Sequence, residues 1–190
     1  MKNLSTALDS ESSRPKIYVY MMGQDDPKKC TSAKLVRHNL ALPIYHFGRV
    51  PRSSVVLNPF APEVLTGMDR RRAEMYGLVA VDCSWTKIDG VFQRGFRGFN
   101  RRLPLLLAAN PTSYGQASRL SSLEALAASL FILGFEEKSK KLLSMFKWGS
   151  TFYTLNKAPL HDYQNAKDSQ EIYRIESEYF PVERNVYTAE

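Results

Sequence analysis

The sequence is poor in cysteine and histidine, and this scarcity argues against several kinds of site. Its 190 residues include two cysteines, Cys30 and Cys83, which cannot form a disulfide scaffold and do not make a Cys-x-x-Cys pair. The three histidines, at positions 38, 46 and 161, lack the spacing of metal ligands. We therefore expect this protein to use no metal.

Long apolar runs and nucleotide-binding signatures are also missing. No apolar stretch approaches the roughly 20 residues that a membrane span needs, and the first residues contain no apolar region of a signal peptide. We therefore expect a soluble, cytoplasmic protein that does not bind membranes. The glycines at 95 and 98 have a Gly-x-x-Gly spacing that matches neither a P-loop nor a dinucleotide fingerprint, so conventional ATP or NAD binding is not expected.

The charge of the chain is large and uneven. There are 26 basic and 19 acidic residues, a net charge of +7, and hydrophobic residues make up 44% of the chain, as in a globular protein. Residues 161–190 hold seven acids and three bases, which leaves a net charge of +11 upstream. A basic body with an acidic end favours a polyanionic partner such as nucleic acid, although many basic proteins simply carry solvated lysines.

Apolar patterning predicts strands first and helices later. Five short segments are strand candidates: 16–22, 42–47, 54–57, 77–82 and 103–109. Helices are predicted at 31–40, from about 62 to Tyr76 with Gly77 closing it, and, after a capping box at Ser121–Glu124, at 121–134, 136–146, 151–155 and 169–180. We predict an α/β fold with a five-stranded parallel sheet over residues 15–104, an all-helical C-terminal domain over 105–190 and a disordered tail over 1–14.

The segment from Gly77 to Trp85 is the most informative part of the chain. A run of small and β-branched residues ends in Asp82, Cys83, Ser84 and Trp85. Such a run indicates a strand buried on both faces, and ligands of open parallel sheets bind beyond the carboxyl ends of their strands. The plainer interpretation is a core strand followed by a polar turn, with the Trp85 ring folded back as packing.

Two other segments could join this strand end in one pocket. The small-residue turn from Ala108 to Gly115 could hold an adenosine by main-chain hydrogen bonds, and a helix beginning at Leu120–Ser122 would present free amides to a carboxylate. The walls of this pocket would be apolar side chains, namely Leu57, Pro59, Trp85 and Leu105. Each segment, taken alone, is equally consistent with an ordinary turn or cap.

The loop from Gln93 to Arg102 is a candidate nucleic-acid contact. Four arginines alternate there with two phenylalanines and two glycines. Guanidinium groups bind phosphates and phenylalanine rings can stack on unpaired bases. The alternative is a surface helix with aromatic anchors.

Six motifs, in order and spacing, resemble one family. They are Asp-Pro-Lys-Lys-Cys-Thr (26–31), Leu-Asn-Pro-Phe-Ala (57–61), Val-Asp-Cys-Ser-Trp (81–85), Ala-Ala-Asn-Pro-x-x-Tyr-Gly (108–115), Leu-Ser-x-x-Glu-Ala (120–125) and Phe-Lys-Trp-Gly (146–149). The chain resembles the small-subunit rRNA aminocarboxypropyltransferases of ribosome maturation, from about Lys16 to Phe180, in their short archaeal form. Any one of these motifs would be weak, but six in register are specific.

This resemblance implies a reaction and a fold. The expected enzyme uses S-adenosylmethionine and moves its 3-amino-3-carboxypropyl group to a 1-methylpseudouridine of the small-subunit rRNA, releasing 5′-methylthioadenosine. The expected fold is like that of the SPOUT methyltransferases, with a deep trefoil knot, and the expected partner is the rRNA or a pre-ribosomal subunit. We expect a monomer, since the helical domain could cover the surface through which knotted methyltransferases dimerise.

The resemblance also implies roles for particular residues. Trp85 is expected to bury the donor's methyl group, and Asp82 to act as general base or to orient the acceptor. The plainer interpretation of Asp82 is an acid that caps a helix or a turn. The expected donor-binding residues are Thr31, Leu57, Pro59, Val81, Trp85, Leu105, Ala109, Tyr114, Leu120 and Ser121, with Val81 and Leu105 acting through the main chain and Thr31 and Ser121 at the amino acid end. The expected rRNA-binding residues are Lys28, Lys29, Arg94, Arg97, Arg101 and Arg102.

Two other functions remain open from the residues alone. A SPOUT-class RNA methyltransferase would use the same donor but present its methyl group to the RNA. A non-catalytic assembly factor would bind rRNA through the arginine loop and would not bind the donor.

Overall fold

A computed structural model of the chain describes residues 15–23, 30–85, 88–92 and 95–181. Its strands are β1 (Ile17–Met21), β2 (Leu42–Ile44), β3 (Val55–Leu57), β4 (Leu78–Asp82) and β5 (Phe99–Arg101). Its helices are α1 (Thr31–Arg37), α2 (Arg70–Tyr76), α3 (Ile88–Phe92), α4 (Ser122–Ile132), α5 (Glu136–Leu143), α6 (Gly149–Asn165) and α7 (Ser169–Tyr179). Short 3₁₀ turns lie at Phe47–Arg49 and Gly67–Asp69.

The five strands form one parallel sheet in the order β2-β1-β4-β3-β5, which confirms the predicted α/β class. Strand β4 lies at the centre, and all five of its residues are buried, as its unbroken apolar run indicated. Gly77 ends α2 and turns directly into β4 with φ +92°, in the left-handed region where glycine carries no Cβ penalty. The strand order therefore places the end of β4 in the middle of the carboxyl edge of the sheet.

Helix α4 forms the centre of the helical part and packs on the sheet. Nine of its eleven residues are buried, and it contacts β4, α1, α5 and α6. One continuous apolar cluster joins residues of β1, β3 and β4 to residues of α4, α5, α6 and α7. The domain boundary at 104/105 remains a prediction: strands give way to helices near it, but the core is shared across it. The predicted tail, 1–14, lies outside the described residues.

Three predicted elements have the wrong bounds. The helix predicted from about 62 begins only at Arg70, after the 3₁₀ turn at Gly67–Asp69. The fifth strand is Phe99–Arg101 instead of 103–109, because the latter segment has its hydrogen-bonding groups occupied elsewhere. Helix α6 extends far beyond the predicted 151–155, with Pro159 buried inside it. None of the helices in the described part of the chain is long and apolar enough to cross a membrane.

The segment from Leu105 to Asn110 pairs with side chains and with the returning chain rather than with the sheet. The N–H of Leu105 donates to Glu176 Oε1 at 3.0 Å. The N–H and C=O of Leu107 bond to the side-chain amide of the buried Asn156 at 2.8 and 2.9 Å. The intervening residues pair with the returning chain, where Ser118 N donates to Leu106 O and Ala108 N donates to Gln116 O. Buried polar groups of the helices thus satisfy the main chain that a neighbouring strand would otherwise satisfy.

Glu124 makes the densest of these connections. Its carboxylate is fully buried and accepts five hydrogen bonds, from the N–H groups of Ala109, Asn110 and Ser121, from Asn110 Nδ2 and from Ser121 Oγ, at 2.7 to 2.9 Å. The bonds with Ser121 complete the predicted capping box of α4. The same carboxylate therefore caps a helix and holds the turn after Ala108 against it.

Replacing Glu124 by glutamine is expected to lower the free energy of unfolding by about 3 kcal/mol, because an amide turns its NH₂ toward donors that then lose their acceptor. Urea unfolding followed by circular dichroism would measure this change. The matched control is Glu137→Gln on α5, whose carboxyl is 90% exposed and whose loss is expected to cost less than about 1 kcal/mol. Equal stabilities of the two variants would contradict this account of Glu124.

Candidate active site

A cavity of about 710 Å³ opens at the carboxyl edge of the sheet. Residues that follow β3, β4 and β5 line it, together with the start of α1, the turn before α4 and the corner between α5 and α6. Its apolar lining includes Leu57, Pro59, Val81, Trp85, Phe92, Leu120, Phe146 and Trp148; its polar lining includes Thr31, Asp82, Asn110, Ser118, Ser121 and Ser122. This is the edge at which parallel sheets bind ligands, and the lining has the composition of a small-molecule site.

Seven of the ten residues predicted to bind a donor molecule line this cavity: Thr31, Leu57, Pro59, Val81, Trp85, Leu120 and Ser121. The other three lie outside the lining. Leu105 is buried, its N–H donates to Glu176 and its C=O accepts from Tyr163 Oη at 3.0 Å, so its main chain serves the fold. Ala109 is buried with its N–H on Glu124, and Tyr114 is 62% exposed.

The Trp85 side chain forms one wall of the cavity. Its indole Nε1–H donates to the carbonyl of Leu120 at 3.0 Å, which ties the end of β4 to the turn before α4. Because the polar edge of the ring is committed to Leu120, the indole presents mainly apolar and π surface to the cavity. The hydrogen bond to Leu120 therefore fixes the orientation of the indole ring that was predicted to form this wall.

Asp82 lies at the buried end of the same strand, between two donors. Cys30 Sγ–H donates to Oδ2 at 3.2 Å and Ser122 Oγ–H donates to Oδ1 at 3.4 Å. Cys30 is also the N-cap of α1, where its sulfur accepts from Ala33 N at 3.3 Å. Burial, with the nearby Asp82 charge adding to it, raises the pKa of the Cys30 thiol to about 11. The thiol therefore stays protonated at neutral pH and remains a hydrogen-bond donor to the carboxylate.

Ser118 is a lining residue that the sequence reasoning missed. Its backbone adopts φ +61°, and its buried hydroxyl has no hydrogen-bond partner among the described residues. A buried polar group without a partner costs free energy, so a ligand that bonds to it recovers that cost. No local motif marks this serine, because its position depends on how the chain returns from Gly115 to pair with Leu106.

The predicted arginine loop is divided between the core and the surface. Arg101 pairs with Glu63 and Asp69, and Arg102 makes a two-pronged ion pair with Glu176 at 2.7 and 3.1 Å; both side chains are less than 20% exposed. Phe96 is buried against Tyr20, Phe47 and Phe92, and Arg72 stacks on the Phe99 ring. Arg97 is exposed. Lys28, Lys29 and Arg94 lie outside the described residues.

Comparisons with known proteins agree on one family. A model described as the C-terminal part of a ribosome biogenesis protein matches residues 55–180. The protein named 16S rRNA aminocarboxypropyltransferase of Methanosarcina mazei is 41% identical over 86% of this chain and 94% of its own length. Its namesake in Thermoplasma volcanium is 45% identical over 86% and 98%. The chain belongs to the 16S rRNA aminocarboxypropyltransferase family.

A solved structure of the same family has the same fold. The structure described as the SAM-dependent rRNA:acp-transferase Tsr3 of Vulcanisaeta distributa superposes with a TM-score of 0.82 at 38% identity, covering 91% of this chain and 92% of its own. A second model, described as a possible Fer4-like domain in RNase L inhibitor, matches residues 15–47. Iron–sulfur clusters of that type need four cysteines, whereas this aminocarboxypropyltransferase family member has two in total.

The raised pKa of Cys30 predicts slow alkylation of that thiol. In a Cys83→Ser variant, the rate of reaction with iodoacetamide is expected to rise about tenfold per pH unit from pH 8 to 10, because the thiolate fraction is still growing. Mass spectrometry of the labelled protein would give the rate at each pH. When the same variant is unfolded in urea, its alkylation rate should level off at a pH near the ordinary cysteine pKa. A plateau at or below pH 9 in the folded protein would contradict the arrangement around Asp82.

Proposed function

We propose that this chain transfers the 3-amino-3-carboxypropyl group of S-adenosylmethionine to a 1-methylpseudouridine of small-subunit rRNA and releases 5′-methylthioadenosine. The observation that carries the proposal is the likeness, over 91% of the chain, to a solved structure described as a SAM-dependent rRNA:acp-transferase. The cavity at the carboxyl edge of the sheet is where the donor would bind. A methyltransferase would present the donor's methyl carbon to the RNA. The names of the relatives favour the aminocarboxypropyl reaction.

The cavity suits such a donor in both shape and chemistry. Leu57, Pro59 and the Trp85 ring offer apolar walls to a flat base and to the methyl group on sulfur. Thr31 offers a hydroxyl group for the amino acid end, and Ser121, whose hydroxyl proton is donated to Glu124, can offer only its oxygen as an acceptor. The Ser118 hydroxyl, buried beside the lining without a partner among the described residues, is a further candidate contact. The Trp85 π face is also favourable to a positively charged sulfonium.

The bond that forms joins the imide nitrogen of the acceptor to the γ-carbon of the aminocarboxypropyl group. The bond that breaks is the one between that carbon and sulfur, whose electron pair stays on sulfur and neutralises its positive charge. The imide proton must leave the acceptor nitrogen, and Asp82 is the buried carboxylate that lines the cavity. We assign Asp82 the role of accepting that proton, with Cys30 and Ser122 holding the carboxylate in place.

The rRNA would approach over exposed and predicted basic residues around the cavity. Arg97 is exposed, Arg119 is exposed at the cavity, and Lys28, Lys29 and Arg94 remain predicted contacts. Arg101 and Arg102 are not included, because their guanidinium groups are held by carboxylates of the protein. A SPOUT-like trefoil knot, a cytoplasmic location and a monomeric state also remain predictions.

The reaction can be tested with donor labelled separately in the carboxyl carbon and in the methyl group, incubated with the protein and small-subunit RNA that lacks the modification. We expect carboxyl label in the RNA and methyl label in methylthioadenosine. Methyl label in the RNA would make the protein a methyltransferase. Absence of both labels, with RNA bound, would leave a non-catalytic assembly factor.

Substitution of Asp82 is expected to slow the chemical step, whereas substitution of Ser118 is expected to weaken binding of the donor. Asp82→Asn should lower kcat by about 10² or more, because the amide cannot accept the proton, while the Kd of the donor changes little. Ser118→Ala keeps the backbone strain but loses the hydroxyl, and should weaken donor binding by about tenfold with kcat retained. Calorimetry with methylthioadenosine and single-turnover kinetics would separate the two. Normal turnover of Asp82→Asn would rule out its role as base.

A further inference from the structure

We propose that Trp148 is the platform on which the acceptor base stacks, so that the cavity holds two flat ligands, each against its own indole ring. The inference rests on the proposed function and assigns the part of the cavity that the donor does not need. The observations that carry it are the position of Trp148 in the lining and the side chains that hold its ring.

Trp148 is the last member of an ordered stack. Lys34 Nζ donates to the carbonyl of Met145 at 2.8 Å and lies 4.3 Å from the centre of the Phe146 ring. The Phe146 and Trp148 rings follow, 5.4 Å apart and inclined by 43°. The cation covers one side of Phe146, so Phe146 serves as backing for the indole rather than as an open surface. Both rings are half-buried and line the cavity.

The backbone beneath the stack leaves little freedom. Gly149 begins α6, and a Cβ at this position would collide with the main chain of Leu143. The corner is closed by hydrogen bonds from Phe146 N to Leu143 O at 3.1 Å and from Gly149 N to Phe146 O at 3.0 Å. The glycine of the Phe-Lys-Trp-Gly motif is therefore explained by packing. Its two aromatic side chains pack partly against the main apolar core and line the cavity with the rest of their surface.

The stack lies on the side of the cavity where the acceptor has to be. Lys34 belongs to the short helix α1, which begins at Thr31, and the helix cap Cys30 is bonded to Asp82. Trp85 is tied to Leu120, and Ser122 at the start of α4 bonds to the other carboxylate oxygen, so Asp82 lies between the α1 corner and the Trp85 wall. A base resting on Trp148 would thus be on the side of the carboxylate and of the group that is transferred. A pyrimidine presented by the rRNA is the ligand that fits this wall, since base–aromatic stacking tolerates any flat ring.

The chain offers a direct test because Trp85 and Trp148 are its two tryptophans. Trp85→Phe leaves Trp148 as the fluorescent reporter, and Trp148→Phe leaves Trp85. We expect a hairpin RNA carrying 1-methylpseudouridine to quench Trp148 in the first variant, and methylthioadenosine to quench Trp85 in the second. Quenching of Trp148 by methylthioadenosine, with no response to the RNA, would overturn the proposal.

Affinity measurements complete the test. Trp148→Ala is expected to weaken binding of the hairpin by about 5- to 100-fold, the range of one lost base stack, while Trp148→Phe keeps most of the affinity. The Kd for methylthioadenosine should stay within about twofold in both variants, provided that circular dichroism shows both are folded. Phe146→Leu, which removes the backing ring, should bind the hairpin with an affinity between those of Trp148→Ala and Trp148→Phe. Unchanged RNA affinity in a folded Trp148→Ala variant would refute the platform, whereas loss of donor quenching at Trp85 would refute the proposed function instead.

Discussion

The exchange of main-chain hydrogen bonds between residues 105–110 and three buried polar side chains is the constraint on which the rest of the molecule depends. Glu176, Asn156 and Glu124 come from three different helices, and each satisfies backbone groups of this one segment. Removing any of them would leave donors buried without acceptors, at a cost comparable to a large part of a domain's net stability. The helices are thereby fixed against the sheet by polar contacts of defined geometry, and the turn that lines the cavity is fixed with them.

Polar groups are also paired with one another elsewhere in the fold, and this explains why the net charge of the chain does not by itself locate the proposed RNA-binding surface. Arg102 serves the fold through Glu176, which also holds Leu105, and Arg101 is bound by Glu63 and Asp69. Guanidinium groups with carboxylates on their forks have little left to offer a phosphate. Under the proposed function, the positive charge available to RNA is therefore that of exposed residues such as Arg97 and Arg119.

Local patterns predicted what local physics decides. The apolar run of β4, its closing Gly77 and the capping box of Ser121 and Glu124 could be read from the sequence, because each depends on neighbours within a few residues. The segment 103–109 has the apolar composition of a strand, but the structure gives it only an isolated bridge between Leu107 and Ala117. Its hydrogen-bond partners lie up to 71 residues away along the chain, and no pattern within the segment predicts them. The burial of Phe96 and the unpartnered hydroxyl of Ser118 could not be predicted for the same reason, since burial and the lack of a partner are properties of the whole fold.

Under the proposed function, the distribution of polar groups in the cavity decides which carbon of the donor reacts. The Trp85 side of the cavity is apolar and its indole N–H is already bonded, so it accommodates a methyl group but offers that group no base. The only buried carboxylate in the cavity lining that the structure describes is Asp82, on the side of Thr31 and Ser122. A nucleophile that must lose a proton will react where its proton can be accepted, and binding that is specific to that geometry favours one bond over another. Under the proposed function, the placement of this carboxylate relative to the indole therefore contributes to the choice between the methyl carbon and the γ-carbon.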